Sequence, residues 1–229
     1  MPSLGNLGLL ACTASCEVAC VATDLSPEQN SRARGAPCAQ VTAAQCMDAD
    51  TQKMRVVVSP GKGDLVISEV MAAPAAVSET DGEWFELYAR KNVDLNGLLV
   101  RAGNSKAILS STSCIGALAN TYSLFARNGD SAMNGGLPPL TAESSVSLPD
   151  NASSLSIANG NTVIDQIAWT SPKKGVAWQI APSALDASPE ERASVSLDSA
   201  VWCATPAGST FGSGDRGTPG APNLACPAV

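Results

Sequence analysis

The sequence predicts an all-β fold, an antiparallel β-sandwich preceded by a small helical segment that disulfide bonds staple together. Three observations favour this fold class. About nine short runs of β-forming residues follow one another from residue 64 onward, with Gly, Pro, Asn or Asp at roughly ten-residue intervals. No long helical pattern separates these runs, which argues against a parallel α/β sheet. Ahead of them, the Ala-rich start of the chain carries cysteines at helical spacing.

Two short helices are predicted before the strands, at residues 8–22 and 37–49, and both are rich in Ala. Between them, Ser26-Pro27-Glu28 has the form of a helix start with proline in the first turn. The predicted strands are residues 64–70, 84–90, 98–102, 107–110, 121–126, 153–158, 163–169, 176–180 and 194–197.

The alternation of apolar and polar residues is clearest in residues 84–90. Phe85 and Leu87 share one face of this strand, because successive side chains point to opposite sides. We therefore expect both residues in the core and Glu86, on the other face, at the surface. Residues 163–169 alternate less cleanly.

In residues 163–169, Val163 and Ile167 are predicted to share the core-facing side. Asp165 lies between them and interrupts the apolar pattern. This strand is accordingly the less regular of the two.

A Pro/Gly stretch at residues 59–63 predicts a domain boundary. We divide the chain into a Cys-rich helical N-terminal segment (1–62) and a β-sandwich domain (63–229). The net charge of −7 lies entirely in the second part. This charge and the pI of about 4.5 argue against a nucleic-acid partner. The absence of histidine excludes His-based catalytic triads and His-ligated metals within this chain.

The eight cysteines are even in number, which is typical of a protein from an oxidising compartment. Their matched spacing predicts two helices stapled by Cys20–Cys38 and Cys12–Cys46. Free thiols and thiolate metal binding remain alternatives, although the spacing differs from that of zinc knuckles. The disulfide candidates are Cys12, Cys16, Cys20, Cys38, Cys46, Cys114, Cys203 and Cys226.

Residues 9–12 (LLAC) have the form of a bacterial lipobox, in which Cys12 would become lipidated. The preceding residues carry no Lys or Arg and only a short apolar run, so they make a poor signal peptide. The alternative is that this segment forms the first helix. No apolar run approaches the roughly 18–20 residues of a transmembrane helix. Together with the cysteines, these features predict a secreted or cell-surface protein.

Five pieces of the chain, in order, resemble the lamin tail domain of the bacterial, exported type over residues 63 to about 223. They are residues 63–71 (GDLVISEVM), 81–88 (DGEWFELY), 93–97 (VDLNG), 125–130 (FARNGD), and 201–203 (VWC) followed by 214–223 (GDRGTPGAPN). The resemblance implies an immunoglobulin-like β-sandwich and a non-enzymatic, accessory or attachment role. It brings no catalytic residues with it, and residues 1–62 lie outside it.

Within the resembling region, three pieces have a physical interpretation. Asn96-Gly97 predicts a turn, because both residue types accept positive φ, and Phe125 is expected to fill the core. The prolines of residues 217–223 lack N–H donors, so this segment is expected to run as a rigid strap across one end of a sheet. Cys203 and Cys226 bracket the strap and are positioned in the sequence to tie it down.

Acidic side chains cluster around the first predicted hairpin, at Glu79, Asp81, Glu83 and Glu86. Several carboxylates together would suit calcium, but the spacing of a calcium-binding loop is lacking, which favours a solvated loop. A catalytic alternative is a glycosidase-like pair of carboxylates at Glu69 and Glu86. The pattern favours ordinary outward-facing residues there.

The remaining candidates have simple interpretations. Lys173-Lys174 fits a small anion patch or, more simply, solvated surface. Trp84, Trp169, Trp178 and Trp202 are expected in or at the edge of the core, since the sequence has few other large aromatic residues.

The sequence therefore predicts a non-catalytic binding or structural module of an exported or cell-surface bacterial protein, without catalytic, cofactor or metal residues. Its partner would be a protein or the cell envelope. The alternatives are a self-assembling extracellular subunit and an accessory domain of a hydrolase or nuclease system.

Overall fold

The computed structural model describes residues 44–193 and 199–227 of the chain. These residues fold mainly into strands, which lie in several largely antiparallel sheets. No helix in this part of the chain is long and apolar enough to cross a membrane. The predicted helix at 8–22, the predicted strand at 194–197, and Cys12, Cys16, Cys20 and Cys38 lie outside the described residues.

The strands are β1 (Gln45–Met47), β2 (Met54–Val56), β3 (Leu65–Met71), β4 (Trp84–Ala89), β5 (Val93–Asp94), β6 (Leu99–Ala102), β7 (Ser105–Ile108), β8 (Gly116–Ala117), β9 (Tyr122–Ala126), β10 (Ala142–Glu143), β11 (Ser153–Asn159), β12 (Thr162–Trp169), β13 (Trp178–Ile180) and β14 (Trp202–Ala204). The helices are α1 (Glu79–Gly82) and α2 (Pro189–Ala193), and a 3-10 turn covers Pro182–Ala184.

A six-stranded sheet has the order β10-β9-β4-β3-β13-β14, and a four-stranded sheet has the order β12-β11-β6-β7. Two small sheets, β1-β2 and β5-β8, complete the described part. Neighbouring strands are antiparallel, as predicted, except β9 and β10, which run parallel. Each of the eight predicted strands that lies within the described residues overlaps an observed strand.

One large apolar core draws side chains from both the six-stranded and the four-stranded sheet. Phe85 of β4 stacks on Phe125 of β9 there, with ring centroids 5.0 Å apart. Leu87 is fully buried in the same core, as the alternation in residues 84–90 predicts. The four tryptophans are buried as well.

A second, smaller core covers the opposite face of the six-stranded sheet. Trp84 of β4 lies in it and contacts Phe211 edge-on, with ring centroids 5.8 Å apart. Leu137 and Ala177 pack beside them. Because both faces of the sheet are covered in its centre, every residue of β3 is buried.

The predicted helix at residues 37–49 is wrong for its described part, since residues 45–47 form β1 and pair with β2. Cys46 forms a disulfide with Cys114, so the predicted Cys12–Cys46 bond is also wrong. The helical spacing of the cysteines led to the wrong pairing, because the partner of Cys46 lies 68 residues away in the chain. The compact unit begins at Ala44, and the predicted boundary at residue 62 falls inside it.

The inward face of β12 differs from the prediction. Val163 is exposed, whereas Asp165 and Ile167 are buried. The pairing of β11 with β12 shifts register after Ile157, which leaves Ile164 as an extra residue. Such a bulge moves the residues beyond it to the opposite face, and the sequence pattern alone does not reveal it.

The predicted turn before β6 is present at residues 95–98. The amide of Leu98 donates to the carbonyl of Leu95 at 3.2 Å, and Gly97 has a φ of 85°. A positive φ at the third position is what a type II turn requires, and glycine adopts it without a steric penalty. The turn directs the chain into β6.

Leu87→Ala is expected to lower the free energy of unfolding by about 3 kcal/mol, because it leaves a cavity at a fully buried site. Urea denaturation of the purified protein measures this change. Val163→Ala is the matched control, since Val163 is exposed on an edge strand. It should change the free energy by less than about 0.5 kcal/mol. Equal effects of the two substitutions would contradict the observed register of β4.

Candidate functional site

Two carboxyl groups lie side by side in the centre of the six-stranded sheet. Glu69 of β3 is paired directly with Glu86 of β4, so their side chains share a face. Both residues are 0% exposed. The predictions that Glu86 is exposed and that Glu69 is an outward-facing surface residue are therefore wrong.

The reason is the segment 217–223, which we call the strap and which lies across this face of the sheet. Its first residues form a turn in which the amide of Ala221 donates to the carbonyl of Thr218 at 3.0 Å. Pro219 fixes φ at the second position, and Gly220 has a φ of 77° at the third, as a type II turn requires. The sequence TPGA thus shapes the strap locally.

Glu69 receives three different donors. The amide of Thr218 donates to its carboxylate at 3.0 and 3.1 Å, and the Thr218 hydroxyl lies 3.0 Å from Oε2. The hydroxyl of Thr205 lies 3.0 Å from Oε1. Two of these three donors belong to the strap, so the carboxyl of Glu69 anchors its beginning.

Glu86 receives one donor from the sheet and one from the strap. The hydroxyl of Ser68 donates to its Oε1 at 2.7 Å, and the amide of Gly220 donates to its Oε2 at 2.6 Å. Asn223 completes the attachment, because its side-chain amide donates to the carbonyls of Ser68 and Ile180. The Cys203–Cys226 disulfide joins the two cysteines that bracket the strap.

Burial is the main influence on the acidity of this pair. Burial raises the pKa of Glu69 to about 7, against the hydrogen bonds from Thr218 and Thr205. Burial and the neighbouring Glu69 carboxylate raise the pKa of Glu86 to about 8. No lysine or arginine of the described residues pairs with either carboxyl. Protonation therefore competes with ionisation near neutral pH.

The acidic cluster around α1 does not form one site. Asp81 accepts from Ser78 and Asn128, and Glu83 accepts from the amide of Leu148 and lies 3.5 Å from Arg127. Glu86 faces the strap instead. The residues are thus used separately, to hold loops onto the sheet.

The small sheet β1-β2 has two contrasting faces. Inward, Cys46 is bonded to Cys114, and Arg55 forms an ion pair with the buried Asp94. The sulfur atoms lie near Asp94 with the spacing of a metal site, but a disulfide offers no thiolate ligand. Outward, the paired residues Met47 and Met54 share one side.

This outward side is apolar and exposed. Met54 is 54% exposed, and Val56, two residues along the same strand, is 53% exposed. Val58 follows at 52%. We call the surface formed by Met47, Met54, Val56 and Val58 the apolar face. Apolar residues grouped at a surface are typical of an interaction site.

Two further features stand apart from these surfaces. Asp165 of β12 forms a buried ion pair with Arg192 of α2 at 2.8 Å and accepts from the amide of Ile67. This pair was not predicted from the sequence, and it explains the acidic residue within an apolar strand. Lys173 and Lys174 are exposed, in keeping with a solvated surface.

Comparison of the chain with protein-family models, with curated proteins and with solved structures found no match.

Proposed function

We propose that this protein is a non-catalytic binding or structural module of an exported or cell-surface bacterial protein. In this proposal its β-rich unit is an immunoglobulin-like sandwich of the lamin-tail type. Two observations support that fold: the two larger sheets share one core, and the motifs of the resemblance fall on β3, β4, β9 and the strap. The two disulfides are compatible with an oxidising compartment.

The single observation that best supports the non-catalytic role is the complete burial of Glu69 and Glu86 beneath the strap. Carboxyls with raised pKa values are the groups from which an acid–base catalyst is usually built. Here both are 0% exposed and receive hydrogen bonds from the strap. A general acid or base must reach its substrate, so this arrangement favours an anchoring role for the pair.

The apolar face supports the binding role, and a protein partner suits its apolar character. Met54 and Val56 project from a sheet that is anchored from behind by a disulfide and by the Arg55–Asp94 pair. A rigid, anchored surface loses little conformational entropy on binding. We assign the recognition of a protein or cell-envelope partner to this face.

The decisive experiment compares binding by the full chain and by the Met54→Lys/Val56→Lys variant to cell-envelope proteins of the source bacterium. We expect at least a tenfold loss of binding in the variant, because two charges are placed where apolar contact is needed. Ile108→Lys is the matched control, since Ile108 is 62% exposed on β7, which belongs to the four-stranded sheet and not to β1-β2. Undiminished binding by the double variant would contradict the assignment.

Turnover assays test the non-catalytic role. The purified full chain is incubated with DNA, RNA, esters and polysaccharides in calcium, magnesium or manganese. We expect no turnover. Activity that persists through purification and disappears in Glu86→Gln would overturn the proposal in favour of hydrolase chemistry.

The exposed apolar face also favours a second candidate, self-assembly. In that case the full chain would form oligomers that dissociate in the Met54→Lys/Val56→Lys variant. Light scattering coupled to gel filtration over a range of concentrations separates the two candidates, since a module for a foreign partner stays monomeric.

A further inference from the structure

The Thr218 hydroxyl beside Glu69 has more acceptors than protons. The Thr218 hydroxyl lies 3.0 Å from Glu69 Oε2 and 2.8 Å from Asn223 Oδ1. The orientation of the Asn223 amide is set by its two N–H bonds to main-chain carbonyls, so its Oδ1 is an acceptor. A hydroxyl donates one proton, and it therefore cannot serve both neighbours.

The competition is weaker on the other oxygen of this carboxyl, because the carbonyl of Ala177 also accepts from the amide of Thr205 at 2.9 Å. The Thr205 hydroxyl lies 3.0 Å from Glu69 Oε1 and 3.1 Å from the carbonyl of Ala177. A carbonyl can only accept. One additional proton on Glu69 removes the shortage at Thr218, because the carboxylic acid then donates to the Thr218 hydroxyl, which donates onward to Asn223.

We propose that Glu69 and Glu86 share one proton while the strap is closed, and that loss of this proton lifts the strap, which makes it an alkaline-sensitive latch. At neutral pH the buried pair then carries a single negative charge, which accepts hydrogen bonds from Ser68 and the strap amides. Removal of the shared proton leaves two adjacent carboxylates without a basic partner, an arrangement that only water can relieve.

Water has one short route to this pair. The face of β3 and β4 opposite the carboxyls packs into the large core shared with the four-stranded sheet, so hydration must come from beneath the strap. The strap residues 218–223 lie between Cys203 and Cys226, whose disulfide keeps their end attached. Lifting is therefore local and reversible.

The other ionisable groups near the pair do not supply a compensating positive charge. Tyr122 of β9 has its pKa raised to about 12, first by burial and then by Glu86, so it stays neutral through the relevant range. Tyr88 of β4 donates to Asn120 instead. Asp215, just before the strap, accepts from the amides of Ala75 and Ala76. The raised pKa values of the pair place the transition around pH 7 to 8.

Amide hydrogen exchange, followed residue by residue by NMR on the full chain from pH 5.5 to 9, tests the latch. After correction for the intrinsic pH dependence of exchange, we expect the protection of the Thr218 and Gly220 amides to fall at least tenfold. The amides of Ala75 and Ala76, held by Asp215, should keep theirs and serve as internal controls.

Two variants make the test specific. Glu86→Gln removes the second charge but keeps an acceptor for Gly220, so protection of the strap should depend on pH much less than in the unaltered protein. Glu69→Gln serves the same purpose if that variant does not fold. Glu79→Gln changes an exposed glutamate and should behave like the unaltered protein. Strap protection that does not change with pH, or an unaltered pH dependence in a folded Glu69→Gln or Glu86→Gln protein, would overturn the proposal.

Added calcium tests the alternative that the carboxyl pair binds a cation instead of a proton. The Gln179 side-chain oxygen, on the strand next to Glu69, has no hydrogen-bond partner among the described residues. Together with the two carboxylates it offers oxygen ligands of the kind that calcium prefers. We expect calcium to leave strap exchange at pH 7 unchanged. Slower exchange accompanied by release of a proton would indicate that a bound cation, and not the shared proton, stabilises the pair. That result would overturn the latch.

Discussion

Removing the Cys46–Cys114 disulfide by the double substitution Cys46→Ala/Cys114→Ala is expected to lower the free energy of unfolding by about 4 kcal/mol. The bond spans 68 residues of the chain, and a cross-link over a long loop restricts the unfolded state more strongly than one over a short loop. It also holds β1 beside residues 112–114, where the main chain makes only two hydrogen bonds with Met47. Guanidinium denaturation without reductant measures the loss.

The second disulfide provides the control. Cys203→Ala/Cys226→Ala opens a link that spans 23 residues, so the expected loss is smaller, about 3 kcal/mol. Intact-mass measurement of the unreduced full chain, which has eight cysteines, should show at least three bridges. Eight alkylatable thiols in the denatured, unreduced protein would contradict both the disulfides and the inference of export.

The strands were predictable because their signals are local. In β4, apolar residues alternate with polar ones, and the core-facing positions of Phe85 and Leu87 follow directly from a period of two. The turn at Gly97 and the rigidity of the proline-containing strap were likewise predictable, since a positive φ or a proline restricts the backbone at that residue alone. These features depend on neighbours only a few residues away.

The burial of Glu86 was not predictable from alternation, because it depends on the strap, whose Gly220 lies 134 residues further along the chain. One pattern in the sequence does indicate that its partner Glu69 is buried. Residues 65–71 (LVISEVM) form a nearly continuous apolar run, which is typical of a strand covered on both faces. A glutamate within such a run is expected to be buried with its strand. The same dependence on distant chain applies to Cys46 and to Asp165.

Raising the pH from 5.5 to 8.5 is expected to lower the free energy of unfolding by an amount on the order of 5 kcal/mol. In the folded protein the pKa values of Glu69 and Glu86 are raised to about 7 and about 8, whereas in the unfolded chain both groups titrate near pH 4.3. At a pH between the unfolded and the folded pKa values, unfolding therefore releases protons. A higher pH consequently favours the unfolded state. Each pKa unit corresponds to about 1.4 kcal/mol, and coupling within the pair reduces the sum.

Other carboxyls act in the opposite direction at lower pH. The pKa of Asp94 is held below its usual range, chiefly by hydrogen bonds from Arg55. Its contribution to stability is present above the pKa of the unfolded chain and is lost as the pH falls through the folded value. The two effects together place the stability maximum on the acidic side of neutral pH.

We infer that Glu69 and Glu86 are structural groups that hold the strap and carry a proton at neutral pH. The most direct test is the difference in unfolding free energy between pH 5.5 and 8.5, measured by urea denaturation for the unaltered chain and for Glu86→Gln with disulfides intact. We expect a loss on the order of 5 kcal/mol in the unaltered chain and less than half of that loss in the variant. Equal stability at the two pH values in the unaltered chain, or a gain at pH 8.5, would contradict it.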